Sequence, residues 1–127
     1  MTYIFQPDRF ILQEQVKKFS HYIQGECLDV GAGHYNRYGK FFSASKIIRM
    51  DIAHADTVDI VGSVDKIPLK DTSVDSVICT QVFEHIKYPD AGAREIARVL
   101  KVGGYALITV PQMNELHEEP HDYFRYT

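Results

Sequence analysis

A series of short apolar runs, spaced by polar or helix-patterned segments, limits what this chain can fold into more than any other feature. "CLDVG" (27–31), "KIIRMD" (46–51), "TVDIV" (57–61), "VDSVICT" (74–80) and "YALITV" (105–110) are each of strand length. Strands that alternate with helices or crossover loops, several of them apolar throughout, predict a mainly parallel sheet covered on both faces. The fold class is therefore α/β, an open sheet with helices on both sides.

Between these runs the helical signals are local. Phe10, Ile11, Val16, Phe19, Tyr22 and Ile23 recur at mixed three- and four-residue spacings, which predicts an amphipathic helix over 8–23 with Asp8 as its cap and Gly25 as its stop. A brief helix is expected near 36–43. Pro89 and Asp90 open another, in which Ala93, Ile96, Ala97 and Leu100 share one face, and Gly103-Gly104 is read as its end. The 127 residues, 45% of them hydrophobic, suffice for one domain, 1–127, with a real core.

Charge and composition narrow the partners. A formal net charge of -3 offers no basic surface to neutralise phosphates, so no nucleic acid is expected and a small molecule or a protein is favoured. Cys27 and Cys79 lie inside apolar strands, as reduced core thiols do in a cytoplasmic protein. No run approaches the ~18 apolar residues of a membrane span, and "MTYIFQPDRF" lacks the basic-then-apolar order of a signal peptide. The expectation is a soluble, cytoplasmic chain with no membrane partner.

The first strand runs into a glycine turn, "CLDVGAGHYNRYGKFF" (27–42), where Gly31 and Gly33 let backbone approach a ligand. Three ligand classes compete for it. For a nucleoside triphosphate the register is wrong, because five residues separate Gly33 from Gly39 and Phe41 stands where a magnesium-binding hydroxyl belongs. A dinucleotide such as NAD fits better, since Asp51 ends the second strand at the distance of a ribose-binding acid. Yet the third glycine is missing, and Asp29 places a carboxylate where a pyrophosphate must sit. S-adenosylmethionine reverses that sign, because its methionyl end carries an ammonium and a sulfonium.

"LDVGAG", Asp51, "IPLKDTSVDSVICTQVFEHI" and "ARVLKVGGYALITVP" together resemble, in order and spacing, the class I S-adenosylmethionine-dependent methyltransferases, especially the type 11 group of small-molecule methylators. The resemblance covers about residues 25–127. It implies a Rossmann-like sheet of order 3-2-1-4-5 and methyl transfer from S-adenosyl-L-methionine, leaving S-adenosyl-L-homocysteine. Asp29, Gly31, Ala32, Gly33 and Tyr35 would surround the methionyl part, Asp51 and Ile52 the ribose, Ser63, Val64 and Asp65 the adenine edge, and Thr80, Gln81 and Val82 the wall after strand four. Tyr35 stands where relatives commonly have a third glycine, and Ser63 where they have an aspartate. A non-catalytic cofactor-binding module or partner subunit and an NAD-dependent oxidoreductase are the alternatives.

His85 and His121 are the candidate general bases, and Glu84, His117, Tyr123 and Arg125 the candidate acceptor contacts. His85 can equally order its loop, and Tyr123 can equally pack on the sheet. Pro120 interrupts the spacing at which His117 and His121 would share a metal, so none is expected. The family sheet continues through a hairpin beyond "HDYFRYT". Either the chain is a fragment, or a second copy, as in a homodimer, or another protein covers the edge of strand five.

Overall fold

The computed structural model describes residues 7–33, 38–111, 123, 124 and 126. Five strands form one sheet: β1 (Gln24–Val30), β2 (Ser43–Asp51), β3 (Ile60–Val61), β4 (Val74–Thr80) and β5 (Leu100–Thr109). Their order is β3-β2-β1-β4-β5 and every pairing is parallel, as expected. Helix α1 (Pro7–Phe19) lies on one face and α2 (Pro89–Val99) on the other.

Alternation along the central strands divides the core. Leu28 and Val30 of β1, Met50 of β2, and Val77 and Cys79 of β4 pack with Ile96 and Val99 of α2. Cys27 and Ile78 point the opposite way, to Val16 of α1 and to Ile23. Each fully buried aliphatic side chain contributes about 1.5–3 kcal/mol relative to exposure. The two cysteines are free and buried on opposite faces, so no disulfide can join them. Burial pushes the Cys27 thiol up to about 11 and raises that of Cys79 as well. Both are poor nucleophiles.

Several boundaries differ from the expectation, each for a physical reason. The helix predicted over 8–23 ends at Phe19 and is followed by one 3-10 turn, Ser20–Tyr22. The Ser20 hydroxyl donates to the Lys17 carbonyl at 2.7 Å, taking an acceptor that a continuing helix would use. Gly25 does not stop a helix; it lies within β1 at φ +64°, at a shift in the pairing with β2. A Cβ there would meet the Asp75 carboxyl at 2.5 Å, and that carboxyl accepts the Glu26 N–H at 2.8 Å. The pair Gly103-Gly104 is likewise part of a strand. Helix α2 ends at Val99, Leu100 is already extended, and β5 shifts register between the partners Val74 and Ser76. A Cβ on Gly104 would lie 2.7 Å from the Asp75 carbonyl, so a side chain is excluded.

The helix expected over 36–43 is one 3-10 turn, Gly39–Phe41, within its described part. The third strand is only two residues because the Asp59 carboxylate takes the Arg49 N–H at 2.9 Å, leaving the β2–β3 ladder to begin at Ile60. The "IPLKDTS" loop is held by Arg98 of α2, which donates to the carbonyls of Ile67 and Leu69 and to Asp71, each at 2.8 Å. Among the described residues no helix is long and apolar enough to cross a membrane.

Candidate functional site

At the C-terminal ends of β1 and β2, the chain after Val30 turns back on itself. The N–H groups of Gly31 and Ala32 both donate to the Met50 carbonyl, at 2.9 and 3.1 Å. Gly31 has φ +70°, and a Cβ there would lie 2.4 Å from Val82 Cγ2, so the turn and the loop after β4 touch at a residue with no side chain. Gly33 has φ +60°, and nothing lies within 4 Å of where its Cβ would be. Its N–H donates to Asp51 Oδ2 at 2.9 Å, while Asp51 Oδ1 accepts from the Ala53 N–H at 3.1 Å.

The carbonyl side of the turn is held as well. Arg49 Nη2 donates to the Ala32 carbonyl at 2.8 Å and to the Gly33 carbonyl at 3.3 Å, and the Thr57 hydroxyl donates to Gly33 at 3.2 Å. Asp29 is the register partner of Arg49 across β1–β2. Burial pushes the Asp29 carboxyl up to about 6, the Arg49 charge opposes that rise, and Asp51 adds to it. Neither Arg49 nor Thr57 was expected from the sequence, although a basic residue inside the apolar run "KIIRMD" is a visible anomaly.

The remaining candidates divide by position. Ile52, next to Asp51, is 77% exposed. Gly62 N–H donates to the Asp51 carbonyl at 2.9 Å, which brings the following segment to the same end of the sheet. There the Ser63 hydroxyl bonds to the Asp65 carboxylate, while Val64 is buried in the core on the α2 face. Thr80 pairs with Thr109. Gln81 stands at φ +56°, a conformation uncommon for a residue with a side chain, fixed by its N–H on the Thr109 carbonyl at 2.9 Å.

A 3-10 turn, Phe83–His85, follows. It buries Glu84 completely and leaves His85 partly exposed, with His85 Nε2 3.6 Å from Glu84 Oε1. The Glu84 carbonyl accepts the N–H groups of Tyr123 and Phe124 at 2.7 and 3.3 Å. The Tyr126 hydroxyl donates to the Phe83 carbonyl at 3.2 Å, and burial, then the Glu84 charge, raises that phenol. Tyr123, Phe124 and Tyr126 therefore lie against the loop after β4. Tyr35, His117, His121 and Arg125 lie outside the described residues. A separate cavity of about 600 Å³ opens at the opposite end of the sheet, around Gln24, Asp75 and Lys101, away from all these groups.

The profile of the Methyltransferase domain family matches residues 28–108, from the middle of β1 to β5. The chain belongs to this methyltransferase family. An uncharacterized protein of Methanocaldococcus jannaschii, MJ0638, is 30% identical over 125 residues, an alignment that takes in 88% of this chain and 53% of the relative. The chain thus spans about half the length of that relative. A SAM-dependent methyltransferase from Aquifex aeolicus matches with a TM-score of 0.62 at 23% identity, over 91% of this chain and 73% of that one. The YcgJ protein from Bacillus subtilis matches with a TM-score of 0.65 at 22% identity, over 78% and 50% respectively. The architecture is that of a class I, Rossmann-like methyltransferase, and the glycine turn, Asp51 and the loop after β4 lie inside the matched methyltransferase segment or at its ends.

Proposed function

We propose that this domain binds S-adenosyl-L-methionine over the Gly31–Gly33 turn and passes its methyl group to a small-molecule acceptor. One observation carries the choice of ligand: the N–H groups of Gly31, Ala32 and Gly33 are all taken by protein acceptors, two by the Met50 carbonyl and one by Asp51. A pyrophosphate site aims such amides at the ligand. Two carboxylates stand near this turn instead: Asp51, which takes the Gly33 amide beside open space, and Asp29 of β1, close enough to Asp51 to feel its charge. Acceptors of that kind suit a ligand that brings donors and positive charge, namely an ammonium, a sulfonium and ribose hydroxyls. NAD is the worse match.

The residues fit the cofactor with specific roles. Asp29 faces the methionyl ammonium, and Asp51, whose oxygens each have a second lone pair, takes the ribose hydroxyls. Ile52 covers the ribose, and Ser63, Asp65 and the Val64 backbone meet the adenine edge. Thr80, Gln81 and Val82 form the wall toward the acceptor. When bound, the cofactor supplies an electrophilic methyl group. The protein's contribution is to hold an acceptor oxygen, nitrogen or carbon in line with it, about 3 Å away. His85 removes the acceptor proton where one must leave, and buried Glu84 behind it orients the ring. Tyr123 lies on the acceptor side.

The β5 edge supports a further partner. Val102, Tyr105 and Ile108 are exposed along it, and among the described residues the strand pairs with β4 alone; an edge strand bearing apolar side chains is an invitation to pairing. A second copy, or a protein subunit, covers it in this reading. A complex of the Haloferax volcanii Trm112 methyltransferase activator contains a chain of similar fold, at a TM-score of 0.57, which makes an activator subunit one occupant to test.

Calorimetry with S-adenosylmethionine, S-adenosylhomocysteine and NAD tests the ligand assignment. Binding of the first two without NAD is the expected result; tight NAD binding with no response to either of the others removes the reading. Binding without turnover across an acceptor panel would favour the non-catalytic module.

A further inference from the structure

Among the described residues, Arg49 is the one basic side chain whose hydrogen bonds join β2 to the glycine turn. Because Asp29 and Arg49 are register partners on neighbouring parallel strands, their side chains leave the sheet on the same face. The guanidinium spans two carbonyls, Ala32 at 2.8 Å and Gly33 at 3.3 Å. On the other side of the turn, Met50 and Asp51 hold its amides. A lysine could supply the charge but not the planar fork. Arg49 Nε is buried with no hydrogen-bond partner among the described residues. An apolar side chain would avoid that desolvated donor, so filling space does not by itself account for an arginine here.

We propose that Arg49 is the positioning residue of the cofactor site, holding the glycine turn in its ligand-receiving shape and keeping the Asp29 carboxylate charged for the methionyl ammonium. This rests on the assignment of S-adenosylmethionine made above. The groups acting on Asp29 are Arg49 and Asp51 from β2, and its charge is felt in turn by Cys27 of β1 and Cys79 of β4. Arg49 is the only cation among them. Burial and Asp51 both drive Asp29 toward its neutral form, and a neutral carboxyl offers an ammonium no ion pair.

The test compares wild type with Arg49→Met and Arg49→Lys by two measurements. Carbon NMR follows the Asp29 carboxyl in ligand-free protein from about pH 4 to about pH 9, and calorimetry follows S-adenosylhomocysteine binding over the same range. In Arg49→Met, Asp29 should titrate at least about one pH unit higher, so binding should weaken about tenfold near pH 5 and about twofold at neutrality, recovering as the pH rises. Arg49→Lys, which keeps the charge, should restore most of both. An Asp29 titration unchanged in Arg49→Met overturns the proposal. A loss of affinity that is equal at every pH also overturns it, since that is the signature of a mere brace. If Arg49→Met fails to fold, Arg49→Gln replaces it. Should wild type bind no S-adenosylhomocysteine, the cofactor assignment falls, and the Asp29 titration still decides whether Arg49 holds that carboxyl charged.

Discussion

The backbone N–H of Gly33 donates to Asp51 Oδ2 at 2.9 Å, so the acid assigned to the ribose is also the clasp that closes the glycine turn. Asp51 thereby joins the end of β2 to the loop after β1, and its two oxygens serve the protein and the ligand at once. Mutations here act on both.

Asp51→Ala should weaken S-adenosylhomocysteine binding by about 1.5–3 kcal/mol, the worth of hydrogen bonds to a charged group. It also strips the Gly33 and Ala53 amides of their acceptor, so a loss of thermal stability should accompany it. Asp51→Asn keeps one acceptor oxygen and should recover stability more than affinity. Calorimetry and thermal melts on the pair measure this; unchanged affinity in Asp51→Ala would disprove the ribose assignment.

Asp29 should trade stability for binding. Its carboxyl is raised from 3.8 to about 6, chiefly by burial. Between those values the folded state holds a proton that the unfolded chain has lost, so this group's contribution to stability falls as the pH rises from about 4 through about 6. The deficit at neutral pH is roughly 3 kcal/mol. Asp29→Asn should therefore be more stable than wild type by up to that amount near pH 7, with the difference shrinking toward pH 4, while cofactor affinity drops. Urea unfolding at both pH values is the measurement, and a variant less stable at neutrality would show that the charged carboxylate is stabilising.

Much of this was legible in the sequence, and the failures share one cause. The strand at 74–80 and the helix opened by Pro89 are set by patterns within a few residues, and the structure has both. Strand order needed the resemblance as well, because periodicity does not say which strands are neighbours. Gly25 and Gly103-Gly104 look like helix stops, since a glycine demanded by φ and one demanded by a close neighbour read alike. Here the neighbour is Asp75, some 50 residues from Gly25 in sequence, and nothing local points to it. Asp29 was weighed without its cross-strand partner Arg49 for the same reason. Glu84 was read as an acceptor contact without any sign of its depth; the 3-10 turn buries it completely and leaves His85 partly exposed 3.6 Å away.

Gly31→Ala should disable the turn. Its φ of +70° disfavours any L side chain, and a Cβ would meet Val82 Cγ2 at 2.4 Å. The backbone part costs about 1–2 kcal/mol. Val82→Ala in the same chain removes the methyl group that clashes, so the double variant should regain part of the lost stability and keep the backbone part of the deficit. If Gly31→Ala alone melts with wild type and binds S-adenosylhomocysteine equally, the close approach of these two loops is not needed for the site.

His85 and Glu84 can be separated by what each loses. His85→Ala removes the proposed base while sparing Asp29, Asp51 and the turn, so turnover on a hydroxyl acceptor should fall by about 100-fold with cofactor affinity nearly unchanged. Glu84→Gln keeps the buried volume but withdraws the negative charge 3.6 Å from His85 Nε2. The buried acid holds the imidazole in place, so Glu84→Gln should slow turnover on a hydroxyl acceptor by loosening the base while cofactor affinity stays near wild type. With an acceptor that is already anionic, both variants should run near the wild-type rate, because no proton need be taken. A His85→Ala enzyme at full speed on a hydroxyl acceptor would leave the histidine only a role in ordering its loop.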